Sequence, residues 1–414
     1  MTAPPLALVR WLDYLRDHPG LVAAAAAAGN GPAEQAALRA KHPVDAVAAA
    51  LTLAELRAKA AAKFSRADRL WCDRVRLEQA TSEPVASHKA ARFAAADAGG
   101  AVLDLCGGLG GDAVALAVHH PVRTVDRSPA AGWMTAANGA LYGVGERVRP
   151  VTADVTDPAV SSAAALARRL VHIDPDRRPT GDRGSARRER RGEDYAPPRD
   201  FLRHVITHAA GGAVKVSPAA NWGGKFEGCE VELVSHAGEC REATVWFGSL
   251  ATPHLHRATV LTGGLTGGES HTLAADPFAA VPQVGELDVY LFDPDPSVVR
   301  AGLVDELCAR TGLHRLDDAE EYLTGPHPLP AAFAPFAAAF RVVEATPNNP
   351  RAFRAAVKRA GAGDCAVKCR HLPVSAAAVR RKLPLEPGGP RRTLVFARVA
   401  GKATAVVCER VVGA

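Results

Sequence analysis

The residues best suited to chemistry gather in one string, Asp104–Leu105–Cys106–Gly107–Gly108–Leu109–Gly110–Gly111–Asp112. Glycines there let the backbone approach a ligand closely, and a helix starting beneath them offers its unpaired N–H groups. Asp104 stands just before the glycines, where its carboxylate would meet a cationic amino-acid moiety; a dinucleotide pyrophosphate has no use for that charge. Cys106, Gly107, Gly108, Gly110 and Asp112 are the string's own candidate contacts. Three aspartates follow. Asp126, 22 residues beyond Asp104, suits a carboxylate accepting both hydroxyls of a ribose. Asp154 would accept an adenine amino group, and Asp174 would face the same crevice. A structural turn explains a lone glycine loop, and a helix cap explains a lone aspartate. An ordered row of four carboxylates beside a glycine elbow points instead to a nucleoside carrying a cationic amino acid, S-adenosylmethionine (SAM).

The string Asp174–Pro175–Asp176–Arg177–Arg178 resembles half of the Asp/Asn-Pro-Pro-aromatic tetrad of methyltransferases that act on base nitrogens. In that tetrad the polar side chain and a backbone carbonyl hold an amino group in line with the methyl sulfonium. Asp174 and Pro175 keep those roles here. Asp176–Arg177 replaces the Pro-aromatic half, so Arg177 or Arg178 would stack on a base or pair with phosphate. Methyl transfer from a sulfonium needs little acid–base help, and alignment supplies most of the rate.

The elements that must position these groups alternate. Short apolar strands are expected over Ala101–Leu105, Val122–Val125, Val148–Thr152 and Leu170–Ile173, each ending beside one of the aspartates. Helices over Ala113–Val118, Pro129–Tyr142 and Ser161–Leu170 separate them, which specifies a parallel sheet with helices on both faces. Phe201–Ala210 is helical, and Ala213–Ser217, Cys229–Ser235 and Ala243–Phe247 complete a Rossmann-like sheet of seven strands closed by a hairpin. Lys215, a charge among apolar strand neighbours, would either contact substrate at a sheet edge or be a snorkelling or paired lysine. Glu239 and Glu242 flank the hairpin and are expected to be solvated. Residues 1–95 read as helical, with an alanine-rich amphipathic helix over Val44–Lys63. Further strands are expected at Arg257–Leu261 and Leu287–Phe292, and a helix over Pro296–Thr311. The tail is a small α+β module: extended at Phe340–Ala345, helical at Arg351–Ala360, a strand at Cys365–Lys368, a Ser-capped helix over Ser375–Lys382, and a hairpin around Gly401–Lys402. The domains so drawn are 1–95, 96–334 and 335–414.

Charge is uneven. The formal net charge is +6, yet Arg177–Arg191 holds seven arginines against two acids, and Arg351–Arg392 eleven Lys or Arg against two. Two basic islands on an otherwise acidic chain attract polyanions. In the second, Arg351, Arg354 and Lys358 share one helix face while Phe353 and Val357 can pack inward, and Arg380, Arg381 and Lys382 close the next helix. The eight cysteines are scattered, with no second pair to complete a zinc set around Cys365 and Cys369, and His254 and His256 have no further ligands near them in sequence, so reduced thiols and no metal are expected. No run of about 18 apolar residues and no leader pattern occurs, so a cytoplasmic chain without membrane spans is expected.

The central block resembles the class I SAM-dependent methyltransferases, and the wider pattern is similar to a bacterial family of them ending in a THUMP-like domain. Leu77–Glu78–Gln79–Ala80–Thr81 with Val85–Ala86–Ser87–His88–Lys89–Ala90–Ala91–Arg92, the Asp174–Arg178 string with Asp194–Tyr195–Ala196–Pro197–Pro198, and the tail around Val379–Leu383 carry that likeness. The segment before the first strand also looks like that of cap trimethylguanosine synthases, and this resemblance implies that Glu78 and Thr81 touch SAM. THUMP domains elsewhere bind tRNA, so the resemblance implies an RNA partner. The leading expectation is methylation of a base nitrogen of tRNA or rRNA. A SAM-binding but inactive RNA-binding protein, and a small-molecule or protein methyltransferase, are the alternatives.

Overall fold

The computed structural model describes residues 5–96, 100–176, 196–219 and 225–411. Helices come first: α1 (Pro5–Asp17), α2 (Pro19–Ala28), α3 (Pro32–Arg39), α4 (Val44–Ala60), α5 (Arg74–Gln79) and α6 (Glu83–Ala94). Proline opens α2, α3 and α6, where its missing N–H breaks no bond. In the alanine-rich stretch Val47, Leu53, Leu56 and Phe64 are buried with Leu15, Leu21 and Leu70, and Leu51 is half-buried against them.

Strand and helix then alternate as expected: β1 (Val102–Leu105), α7 (Gly111–Ala117), β2 (Val122–Asp126), α8 (Pro129–Leu141), β3 (Val148–Thr152), α9 (Pro158–Ser161), α10 (Ala163–Leu166), β4 (Leu170–Ile173), α11 (Arg199–His208), β5 (Gly211–Val216), β6 (Glu230–His236) and β7 (Glu239–Gly248). The single helix expected over 161–170 is two short ones. Ser162, extended at ψ 155°, ends α9 and caps α10 by accepting from the Ala165 N–H. β1 to β5 are parallel neighbours, and β7 returns antiparallel on β5. The Ala237–Gly238 turn has positive φ at both residues, the geometry a tight hairpin needs. The expected count of seven strands is exceeded: with β8 (His256–Leu261) and β9 (Ser270–Ala275) the hydrogen-bonded order is β3-β2-β1-β4-β5-β7-β6-β8-β9. β9 escaped the sequence reading because only Leu273 of its six residues is buried, so its apolar signal is weak.

By compactness the chain divides into two units: Met1–Glu230 with Glu242–His254 and Gly263–Glu269, and Val231–Arg241 with Leu255–Thr262 and Ser270–Ala414. The second unit carries β10 (Tyr290–Pro294), α12 (Pro296–Ala301), α13 (Val304–Thr311), β11 (His314–Arg315), β12 (Leu323–Gly325), β13 (Ala337–Pro347), α14 (Pro350–Arg359), β14 (Asp364–Cys369), α15 (Ala376–Arg380), β15 (Arg391–Val399) and β16 (Lys402–Arg410). Its own sheet runs β11-β12-β10-β13-β16-β15-β14 and so takes strands from both sides of residue 335. Alternate residues of β15 and β16 sort to its two faces. Leu394, Phe396, Ala405 and Val407 pack under Phe353, Ala356 and Val357 of α14 and Val379 of α15. Val395, Ala397, Val406 and Cys408 pack against Leu291, Leu316, Tyr322 and Phe340. α14 and α15 therefore form one layer on one face. The β15–β16 turn centres on Ala400–Gly401, one residue earlier than expected, because these are the two with positive φ. Among the described residues no helix is long and apolar enough to cross a membrane, and the eight cysteines are free.

In the first unit, α6 is fixed to the sheet by a buried charge. The Lys89 side chain is 3% exposed, and its Nζ reaches Asp112 Oδ1 of α7 (3.0 Å), Glu242 Oε1 of β7 (2.6 Å) and His172 Nε2 of β4 (3.2 Å). Three acceptors use the three N–H donors of an ammonium. Burial works against the charge, but Asp112 and Glu242 more than reverse it and hold the lysine above its usual range. Glu242, expected to be solvated, is buried because it supplies this counter-charge. Lys89→Met would leave two carboxylates buried without a cation. We expect it to destabilise the protein by about 3–5 kcal/mol, read as a fall in the urea midpoint; an unchanged midpoint would deny Lys89 this role.

Candidate active site

β1 delivers the chain to the glycine elbow at the carboxyl edge of the sheet, between β2 and β4, where the strand order reverses and open α/β sheets bind ligands. Cys106, Gly108 and Gly110 all have positive φ (64°, 61° and 88°). Gly107 is required for a different reason: a Cβ there would lie 1.9 Å from Thr124 Oγ1. At Gly110 it would press on the Thr135 backbone of α8 at 3.0 Å, whereas at Gly108 it would stand in open space. The Gly108 N–H donates to Asp126 Oδ2 (3.1 Å) and the Ser128 N–H to Asp126 Oδ1 (2.8 Å). Each oxygen keeps a second lone pair, so a carboxylate with acceptor capacity to spare stands beside an open stretch of backbone. That donor and acceptor set fits a nucleoside with a ribose diol. Burial and the nearby Asp126, Asp174 and Asp104 push the Cys106 thiol well up, which leaves it neutral and a poor nucleophile.

Three expected contacts are turned elsewhere. Asp104 is 1% exposed; its Oδ1 accepts from His172 Nδ1 (2.7 Å) and its Oδ2 from Thr124 Oγ1 (2.8 Å). Asp104, Thr124 and His172 are direct cross-strand partners on β1, β2 and β4, so the carboxylate lies within a polar row through the sheet, not at its rim. Asp112 accepts from Lys89 and from Thr81 Oγ1 (2.7 Å). Burial alone would raise its carboxyl, but Lys89 foremost, with Lys215, holds it well below the usual range. The Thr81 hydroxyl is buried between Asp112 and Glu242. Asp154 does stand just past β3, exposed, where its own Thr156 hydroxyl and amide hold its carboxyl low.

Asp174 follows β4, and its backbone N–H bonds Leu105 O (3.1 Å). Val214 of β5 is in register with Ile173, which sets Lys215 beside Asp174. Lys215 Nζ donates to Asp174 Oδ2 (2.7 Å) and to the Gln79 carbonyl (2.8 Å). It is thus a paired lysine, and β5 lies between β4 and β7, not at an edge. Burial pushes the Asp174 carboxyl up, with Lys215 pulling the other way. Gln79 also donates from Nε2 to Asp176 Oδ1 (2.9 Å). Lys63 fixes this segment by donating to the carbonyls of Leu77, Glu78 and Ala80, each at 2.9 Å. The resemblance implies contacts from Glu78 and Thr81 but none from Gln79, whose place at the end of a short helix is the one signal for it in the sequence. Asp176 and Ala196 exchange two backbone bonds. Arg177 and Arg178 lie outside the described residues.

The second basic island is smaller than its sequence suggests. Arg359 pairs with Glu344, Lys368 and Arg370 with Asp293, Arg380 and Arg391 with Asp364, and Arg392 with Glu409. Arg380, expected as a substrate contact, is turned to Asp364 in this way. Arg351, Arg354, Lys358, Arg381 and Lys382 remain exposed on the α14–α15 layer, without an acidic partner among the described residues.

Comparison with known proteins agrees with this architecture. Residues 99–191 match the family described as RNA cap guanine-N2 methyltransferase, and residues 337–410 the family described as THUMP domain-like. A protein of Porphyromonas gingivalis W83 assigned as a methyltransferase shares the fold, with a TM-score of 0.71 at 19% identity over 90% of this chain and 92% of its own. In Mycobacterium tuberculosis, strains CDC 1551 and H37Rv each hold an S-adenosylmethionine-dependent methyltransferase, described as uncharacterized, that is 31% identical over 343 residues, 80% of this chain and 87% of theirs. With that identity over that span, the chain belongs to the S-adenosylmethionine-dependent methyltransferases.

Proposed function

We propose that this enzyme methylates an exocyclic amino nitrogen of a base in RNA, guanine N2 foremost, with Asp174 and Pro175 at the transfer site. The observation that carries this reading is the Asp174 carboxylate. One oxygen is taken by Lys215, and the side chain is still 22% exposed at the carboxyl edge of the sheet. An ionised carboxylate only accepts hydrogen bonds, so it suits a group that presents N–H donors. Guanine offers adjacent donors at N1 and N2, whereas the amino groups of adenine and cytosine sit beside a ring acceptor. The description of the family matched over 99–191 supports the same nitrogen.

In this reading Cys106, Gly107, Gly108 and Gly110 offer backbone to the cofactor, Asp126 accepts the ribose hydroxyls, and Asp154 accepts from adenine. SAM, when bound, supplies a methyl already activated on a sulfonium. What the chain adds is alignment: Asp174 and the Pro175 carbonyl hold the amino group with its lone pair toward the methyl. The five free cations of the α14–α15 layer would hold the RNA backbone, as the match to a THUMP-like family supports. The eight free thiols suit the reducing cytoplasm, where such RNA is found.

Tritiated SAM incubated with the protein and total RNA from a strain lacking its gene should label RNA, and digestion should yield methylated guanosine. Label confined to protein or small molecules would overturn the reading. Asp126→Ala should weaken SAM binding by about 1–3 kcal/mol, the scale of lost hydrogen bonds to a charged group; unchanged calorimetric affinity would remove Asp126 from the site. Because the second sheet crosses residue 335, the RNA handle is better tested by substitution than by truncation. Alanine at Arg351, Arg354, Lys358, Arg381 and Lys382 should flatten the log–log salt dependence of RNA binding by about one unit for each cation that meets a phosphate. An identical slope would place the handle elsewhere.

A further inference from the structure

We propose that Lys215 is a positioning residue for methyl transfer: its ammonium fixes one oxygen of Asp174 and keeps the other an ionised acceptor for the substrate's amino group. The proposal rests on the base-amino reading above.

The geometry singles this lysine out. It sits within β5, a strand buried along its whole length, and its side chain is 4% exposed. Its partners come from two further elements: Asp174 Oδ2 after β4 and the Gln79 carbonyl at the end of α5. The same Gln79 holds Asp176 through its side chain. Lys215 and Gln79 together therefore clasp both carboxylates of Asp174–Pro175–Asp176, in a site where the Pro-aromatic half of the tetrad is missing. A buried ion pair is a poor way to gain stability alone, since apolar residues of similar size often do as well. A fixed charge beside the acceptor has a use that an apolar side chain lacks.

That use follows from what surrounds Asp174. Burial favours its protonated form, and Asp112 of α7 adds to that. Lys215 is the largest opposing influence. The Cys106 thiol of the glycine elbow is held neutral by burial and by Asp126, with Asp174 adding to the effect. Without Lys215, burial and Asp112 act together. A protonated Asp174 would present a hydroxyl to an amino N–H, donor to donor. The folded-state carboxyl rises when the lysine is removed, so activity that needs the ionised form is lost at a higher pH.

The test is the pH profile of RNA labelling, kcat/KM against pH, for wild type, Lys215→Met, Lys215→Arg and Asp174→Asn, with SAM affinity and melting temperature as controls for folding. In Lys215→Met the acid limb should move up by about 1–3 pH units, the effect of removing a close opposite charge, with the loss recovered as pH rises. Lys215→Arg keeps the cation and should keep the wild-type acid limb, whatever its absolute rate; this arm decides the matter if the Met variant does not fold. Asp174→Asn should have no such limb to move. Rates lowered by one factor at every pH in Lys215→Met, or an acid limb shifted equally in Lys215→Arg, would make the pair merely structural. If wild type labels RNA while the acid limb stays put, Lys215 alone is misread. If wild type labels no RNA, the base-amino reading falls and takes this one with it.

Discussion

A lysine ammonium with no access to water must find three acceptors inside the protein, and in this chain the demand organises the catalytic unit. Lys89 draws them from α7, β4 and β7. No shift of α6 can keep all three bonds, so the helical region and the sheet are held in one arrangement. The constraint passes further. Since Lys89 donates to His172 Nε2, that nitrogen accepts, and the ring's other nitrogen donates to Asp104. Asp104 in turn takes the Thr124 hydroxyl, which fills the space beneath Gly107. A chain of bonds thus runs from a helix outside the sheet to the underside of the glycine elbow.

The carboxylates of the unit are sorted by this network. Asp104, Asp112 and Glu242 lie inside it, with their oxygens committed to donors that never leave. Asp126 and Asp174 stand at the carboxyl edge of the sheet, each anchored by part of its bonding capacity and open with the rest. The division suits the chemistry. Transfer of a methyl from sulfonium asks for still acceptors at the right places more than for a group that gains and loses protons. Under the function proposed above, Asp126 and Asp174 would serve as such rigid, half-committed acceptors, while the committed carboxylates lie beneath the elbow.

Much of this was legible in the chain. Strand and helix alternation gave the parallel sheet, and the positive-φ demand of the elbow was written as glycine. The row of aspartates pointed to the carboxyl edge of the sheet as the place to look for a site. Which aspartates keep an oxygen uncommitted at that edge was harder, because that depends on register between strands far apart in sequence. Asp104, Thr124 and His172 are polar residues in buried strands, and only their cross-strand alignment turns three oddities into one row. Glu242 looked solvated for the same reason: its counter-charge, Lys89, is 153 residues away. β9 was missed because a strand with one buried side chain carries no periodic signal. Local pattern specifies elements well, and it is silent on pairs of opposite charge brought together by topology.

The same reasoning bears on the basic tail, where counting charges overstates what a polyanion would meet. Lys368 and Arg370 are bound to Asp293, and Arg370 also donates to the Pro294 carbonyl, so these cations tie β14 to β10 within the second sheet. Arg380 and Arg391 share Asp364. Charges consumed in this way are largely neutralised and cannot release counterions from a phosphate backbone at full strength. The remaining cations of this stretch are exposed on the helix layer, while the side chains of the other face of the sheet, Leu291, Phe340, Val395 and Val406 among them, are buried with Leu316 and Tyr322. Within residues 351–392, the cations without an acidic partner among the described residues are therefore those on α14 and just after α15.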